Sequence, residues 1–163
     1  MNRDISKEQQ IFADFVSILG GWGEVSIHRA DGSVEGPWTC KNQVTAVGLN
    51  ELAARSITAN SRSPFNVLNV GSGTSACSLG STALTHLVNS KSGAVVATSK
   101  SLLIISNTWG GAADGITSVA LEEAGIFNQA GVMLNGLTGV SATLGDSDTL
   151  SLAMLFRIGS HNL

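Results

Sequence analysis

Charge is the scarcest property of this chain. Only 13% of its 163 residues are Asp, Glu, Lys or Arg, where an average soluble protein carries about 25%. Charge keeps free monomers apart, so a surface this neutral suits a protein that sits against neighbours. The net charge of −3 provides no electrostatic basis for binding nucleic acid. Tyrosine is absent, and the three tryptophans have little basic residue interleaved with them, which argues against a nucleic-acid stacking surface. Cys40 and Cys77 are the only cysteines. Two cysteines do not make a disulfide framework; free thiols in a cytosolic product are the expectation, with a single bridge as the other option. No apolar run reaches the 18 residues of a membrane-spanning helix, so no membrane partner is expected. Met1-Asn2-Arg3-Asp4 is not the basic start of a secretory signal. Acids are also missing between Glu51 and Asp114, a stretch that holds Arg55, Arg62, Lys91 and Lys100. A mildly basic middle between acidic ends fits head-to-tail matching of subunits, or a sheet face that happens to hold few acids.

The residues that are present read mainly as β-structure. The clearest signal is Leu150, Leu152, Met154, Phe156 and Ile158, an alternation that places all five on one face of a strand. Val25 and Ile27 alternate within Glu24 to Arg29, Asp31-Gly32 signals a hairpin turn, and Val34 to Lys41 is the expected return strand. Pro37 limits that strand to an edge or a bulge. Phe65 to Val70, Ala94 to Ser106, Ile116 to Glu123 and Val132 to Leu137 complete the strand set. Residues 74–93 read as a surface loop leading into a strand. Trp109 to Gly115 reads as a long turn, Asn128 to Gly131 as a tight one, and Glu123 to Asn128 as a turn-and-core element. Without a regular βαβ rhythm, short strands with turns between them point to an antiparallel β-sandwich or jelly-roll-like domain.

Two helices are expected beside the sheet. Ser6 and Gln9 fit a capping box, and Ile11, Phe12, Phe15, Val16 and Leu19 form an apolar stripe that Gly20-Gly21 ends. That stripe docks either on its own domain or on another subunit. Thr45 caps a short second helix in which Glu51 precedes Arg55 by four residues. The expected organisation is an N-terminal helical arm, 1–22, followed by a sandwich domain, 23–163.

Signs of catalysis are weak. Gly71-Ser72-Gly73-Thr74 follows a strand, but no good helix or acidic residue follows at the spacing a dinucleotide site needs. A glycine turn is the better reading. His28, His86 and His161 sit in unrelated contexts, and no Gly-x-Ser-x-Gly elbow exists. Glu122 and Glu123, adjacent in a strand, point to opposite faces; Glu123, next to Ala124-Gly125, either fixes the turn or binds a neighbouring amide. Asp146 and Asp148 lack the oxygen-rich series of a calcium loop and read as turn residues. The expectation is therefore no catalytic residue, no metal and no cofactor. Trp22, Trp38 and Trp109 are expected in the core or at a subunit interface, with Trp109 the leading interface anchor.

The order of motifs resembles a known family. A hairpin with Asp31-Gly32 comes first. Lys41-Asn42-Gln43-Val44-Thr45 with Gly48 and Leu52 follows, then a strand into Val70-Gly71-Ser72-Gly73-Thr74. Glu123-Ala124-Gly125-Ile126-Phe127-Asn128, Met133-Leu134 and a closing strand from Asp148-Thr149-Leu150 complete it. From about Glu24 to Ile158 this order is similar to small virion structural proteins of tailed bacteriophages. The resemblance implies an antiparallel β-sandwich, a particle component and no enzyme. The expected role is a capsid decoration, or cement, protein that binds the major capsid protein on the head exterior, self-associates as a homotrimer, and is assembled in the bacterial cytoplasm into the virion. Expected contacts are Phe12, Phe15, Trp22, Trp38 and Trp109. A tail, baseplate or fibre-attachment part is the alternative, and a glycan- or ligand-binding module a second alternative.

Overall fold

The computed structural model describes residues 21–57, 63–92, 95–99 and 102–157. Among these residues there are nine strands and one helix. In chain order they are β1 (Trp22–His28), β2 (Val34–Val44), α1 (Ala46–Ile57), β3 (Phe65–Gly71), β4 (Leu87–Ser92), β5 (Val95–Ser99), β6 (Leu102–Gly110), β7 (Ala120–Asn128), β8 (Met133–Thr143) and β9 (Thr149–Arg157). The strands make one sheet in the order β4-β3-β7-β8-β2-β1-β9-β6-β5, and every strand pair in it is antiparallel. The mainly β, antiparallel expectation therefore holds. The ladder is continuous and curls until it is nearly barrel-shaped. The expected N-terminal helix falls on residues outside those described, and Trp22, assigned to the arm, opens β1.

β2 makes the curl possible. Its first part pairs with β1, from His28↔Val34 to Trp22↔Lys41, with a bulge between Val25 and Ile27. Its last three residues, Asn42, Gln43 and Val44, pair instead with β8. The strand thus passes from one half of the sheet to the other. The two halves face each other across one core. Val25, Ile27, Ile105, Trp109, Leu150, Leu152, Met154 and Phe156 come from one side, and Leu68, Val70, Ala124, Ile126, Leu134 and Leu137 from the other. The alternation of β9 is seen directly: Leu150, Leu152, Met154 and Phe156 are all buried. Ile158 lies outside the described residues.

The hairpin turn forms where the sequence placed it. The Arg29 N–H donates to the Ser33 carbonyl at 2.9 Å, and Gly32 takes φ +86°, a three-residue loop with glycine in the left-handed position. Asp31 Oδ1 accepts from the Ser33 amide at 2.8 Å. The helix cap is also as expected: Thr45 Oγ1 accepts from the Gly48 N–H at 3.1 Å. The same hydroxyl donates to the Met133 carbonyl at 2.6 Å, so one side chain both caps α1 and ties it to β8. Leu49 and Leu52 then pack on the core, and Arg55 pairs with Glu51 at 3.5 Å.

Several sequence readings need correction. Ala94 to Ser106 is divided between β5 and β6, and the strand expected from Ile116 begins at Ala120. Trp109 and Gly110 end β6 rather than opening a turn. The turn is confined to residues 111–115 because Trp109 pairs with Leu150 in the ladder. Glu123 to Asn128 is a core strand, paired with both β3 and β8, and not a turn. β8 runs on to Thr143, six residues past the expected end, because Leu121 and Ala120 still pair with Ala142 and Thr143 across a bulge.

Burial of this kind sets a clear expectation. Phe156→Ala should lower unfolding free energy by about 3–5 kcal/mol through the cavity it leaves. Leu87→Ala, at a site 53% exposed, should change it by less than about 0.5 kcal/mol. Urea unfolding of both variants checks the pair; equal effects would sink the assignment of β9 to the core.

Candidate functional site

Buried acids that elsewhere serve chemistry here hold backbone. Glu123 is 3% exposed. Its Oε1 accepts from the His86 N–H at 2.7 Å and the Gly73 N–H at 3.1 Å, and its Oε2 from the Thr85 N–H at 2.9 Å. This carboxylate pins both ends of the long loop between β3 and β4. The loop then lays Cys77 and Leu84 over a small second cluster of Val67, Phe127 and Met133. The Gly71-Ser72-Gly73 run is explained by the same contact. A Cβ on Gly73 would stand 2.5 Å from the Glu123 carboxylate oxygen, so the chain needs glycine to reach it. The amide-binding reading of Glu123 is realised, and Glu122 takes a different partner, the Ser141 hydroxyl at 3.2 Å.

Asp148 does for the opposite end of the sheet what Glu123 does for the loop. Its carboxylate accepts from the Gly145 N–H at 2.7 Å, the Ala30 N–H at 3.0 Å and Arg29 at 2.6 Å. Arg29 also pairs with Glu35 and donates to the Thr143 carbonyl at 3.0 Å. The β1–β2 hairpin is thereby fastened to the β8–β9 turn. A third acid, Asp114, accepts from the Gly110 N–H at 2.7 Å and from Lys91 at 2.8 Å. Lys91 reaches the Thr108 carbonyl, and Asn89 bonds both the Trp109 indole N–H at 3.1 Å and the Asp114 carbonyl at 2.9 Å. Side chains therefore bridge β4 to β6, the seam where the ladder stops. Sequence reading missed this seam, since Asn89, Lys91 and Asp114 fall in stretches without periodicity.

Hydrogen bonds lower four carboxylates. The Gly145 N–H and then Arg29 hold Asp148 below its ordinary value of 3.8. Arg29 lowers Glu35, and the Ser33 hydroxyl and amide lower Asp31. For Asp114 partial burial pushes upward, and Lys91 with the Gly110 N–H more than reverses it. Burial raises the thiols of Cys40 and Cys77, which are free.

The expected contact residues are not brought together. Phe12 and Phe15 lie outside the described residues. Trp109 has no exposed surface and packs in the core, so it cannot serve as an anchor for a second chain. Trp22 and Trp38 are 37% and 39% exposed. They stand on neighbouring strands but on opposite faces: Trp38 is opposite the buried Val25 and Trp22 opposite Lys41. Trp38 stays exposed where β2 pairs with β1 and not with β8, and residues 30–39 are all exposed.

On the outer face of β1, β9 and β6 lies a groove of about 410 Å³. Its floor follows the register. Glu24, Ala153 and Ser106 form one row, and Ser26, Ser151 and Thr108 the next. A smaller depression of about 240 Å³ lies over Val67 and Phe127 beside Asn69. Among the described residues no group of three or more His, Cys, Asp or Glu is placed to hold a metal ion, and no helix is long and apolar enough to cross a membrane. His28 and His86 belong to β1 and to the loop before β4; His161 lies outside the described residues.

Two expectations follow. Glu123→Gln replaces an accepting oxygen with a donor and should cost about 1–3 kcal/mol, and Gly73→Ala should be destabilising through its clash with the same carboxylate. Loop proteolysis and thermal melting measure both, and wild-type behaviour of Glu123→Gln would remove the latch. Depressed carboxylates stabilise the fold above their ordinary values and lose that contribution as pH falls through their folded values. The melting temperature should therefore hold near neutrality and drop below about pH 4, with Asp148→Asn flattening part of that drop. No protein-family model, no curated protein and no solved structure matches this chain.

Proposed function

We propose that this chain is a non-enzymatic structural protein of a tailed-bacteriophage virion, a decoration protein that binds the major capsid protein on the head exterior as a homotrimer. The observation that carries the reading is the β1–β2 hairpin. It is latched to the body by Arg29 and Asp148, yet residues 30–39 stay exposed and carry Val34 and Trp38, 55% and 39% exposed. An exposed stretch of β2 that bears Val34 and Trp38 on a charge-poor body is suited to contact another protein, since large aromatic side chains at a desolvated centre dominate interface energy. The resemblance of the motif order to small phage virion proteins supports the same reading. In this view the two halves of the curled sheet serve as the layers of a β-sandwich, and the acids that would attract a catalytic interpretation are engaged in holding loops.

The physical task needs no reaction. A protein that binds an expanded head lattice and not its compact precursor stabilises the expanded form by mass action. Trp38 is the leading contact on the described residues. Phe12 and Phe15, with the sequence pattern of an amphipathic arm, are the second set. A tail or baseplate part with the same fold would use the same surface at lower copy number.

Purified heads test this directly. Trp38→Ala should reduce occupancy about tenfold or more, the effect of losing one interface anchor, with the melting temperature of the free protein unchanged. Full occupancy by Trp38→Ala, together with full occupancy by the Phe12→Ala, Phe15→Ala double variant, would sink the proposal. Quantifying the protein in intact virions separates the locations: hundreds of copies mark a head protein, and roughly three to twelve mark a tail part.

A further inference from the structure

We propose that the groove across β1, β9 and β6 binds a neutral oligosaccharide, with Trp22 as the stacking platform at its end. This site is separate from the exposed stretch of β2 that carries Trp38 and does not depend on the virion assignment. Trp22, Glu24 and Ser26 alternate with the buried Gly23, Val25 and Ile27 along β1, so all three present outward. Gly23 pairs with Met154 and Glu24 with Ala153, which sets Trp22 one row beyond the Glu24 row that lines the groove. Three such rows span roughly 14 Å along the strands, and three strands span about 10 Å across them. That footprint matches roughly two or three linked sugar rings.

The chemistry of the lining selects the ligand. Ser26, Ser106, Thr108 and Ser151 carry hydroxyls that donate and accept, Asn107 adds an amide, and Glu24 adds a strong acceptor. No cation is among the residues that line the groove, and Lys41 stands opposite Trp22 at its end. A ligand rich in hydroxyl donors is therefore favoured along the floor, where a phosphorylated, sulfated or sialylated one meets the Glu24 charge. The small side chains of Ser151 and Ala153 keep the floor low between the strands. Trp22, 37% exposed, offers an indole face against which the apolar face of a sugar ring can stack, the use to which a half-exposed aromatic residue is suited. A nucleic acid is disfavoured by the same lining, since its phosphates would need a row of cations and the floor holds Glu24 instead.

The experiment uses the full chain. An array of neutral oligosaccharides that includes maltotriose and chitotriose is screened, with sialyllactose as the charged counterpart, and the strongest neutral binder is titrated by tryptophan fluorescence. A neutral oligosaccharide should bind with a Kd below about 10 mM. Trp22→Ala should weaken it about tenfold or more, and Ser151→Trp, which fills the groove, should abolish it. Leu87→Ala, on β4 in the other half of the sheet, should leave binding unchanged. Thermal melting shows that each variant is folded, and Ser151→Trp serves if Trp22→Ala is not. The proposal is overturned if no neutral oligosaccharide binds, if sialyllactose binds as well as the neutral sugars, or if both groove variants bind like wild type. A change of oligomeric state on Ser151→Trp without sugar binding overturns it too, and makes the face a contact between copies.

Discussion

β2 pairs with β1 through most of its length and passes to β8 through Asn42, Gln43 and Val44, and on this handover depends the single core between the two halves of the sheet. A strand that stayed with one neighbour would leave two open sheets, each with an apolar face in water. Handing over lets Val25 and Ile27 on one side and Leu134 and Leu137 on the other shield the same interior. The cost is local. Residues 34–41 of β2 pair with β1 and not with β8, residues 30–39 remain exposed, and that stretch carries Trp38. The feature that closes the core is thus the one that offers a contact surface.

Curling leaves places where backbone pairing stops, and side chains take over there. Glu123 gathers three amides of the loop before β4. Asp148 and Arg29 tie the hairpin to the β8–β9 turn. Asn89, Lys91 and Asp114 bridge β4 to β6 around the Trp109 indole. Buried amides without partners are costly, so each latch removes a penalty as well as fixing a loop. In a chain with so few charges, spending three carboxylates in this way leaves a surface dominated by Ser, Thr, Asn and Gly. That surface resists neither close approach of another protein nor contact with hydroxyl-rich ligands. The proposed decoration role and the proposed sugar groove both draw on this neutrality, at different places on the sheet.

The sequence by itself determined what depends on neighbours along the chain. Alternation from Leu150 to Phe156 forced a strand with one buried face. Asp31-Gly32 forced a turn because glycine reaches the left-handed region at little cost. Thr45 capped α1 because its hydroxyl reaches the free amide of Gly48. Amide binding was one of two roles that the sequence offered Glu123, the other being to fix a turn, and the amides it holds lie in a distant loop. The tertiary structure decided whatever depends on partners distant in the chain. Glu123 to Asn128 became a core strand because β3 and β8 lie on either side of it, and no local pattern reports that. Trp109 became core rather than anchor because β9 pairs with it and Asn89, twenty residues away, accepts its indole N–H. The groove exists only because Ser26, Ser151 and Thr108, far apart in sequence, meet in one register. Local propensity is set by a few bonds, and a site is set by the register of strands that the whole core holds in place.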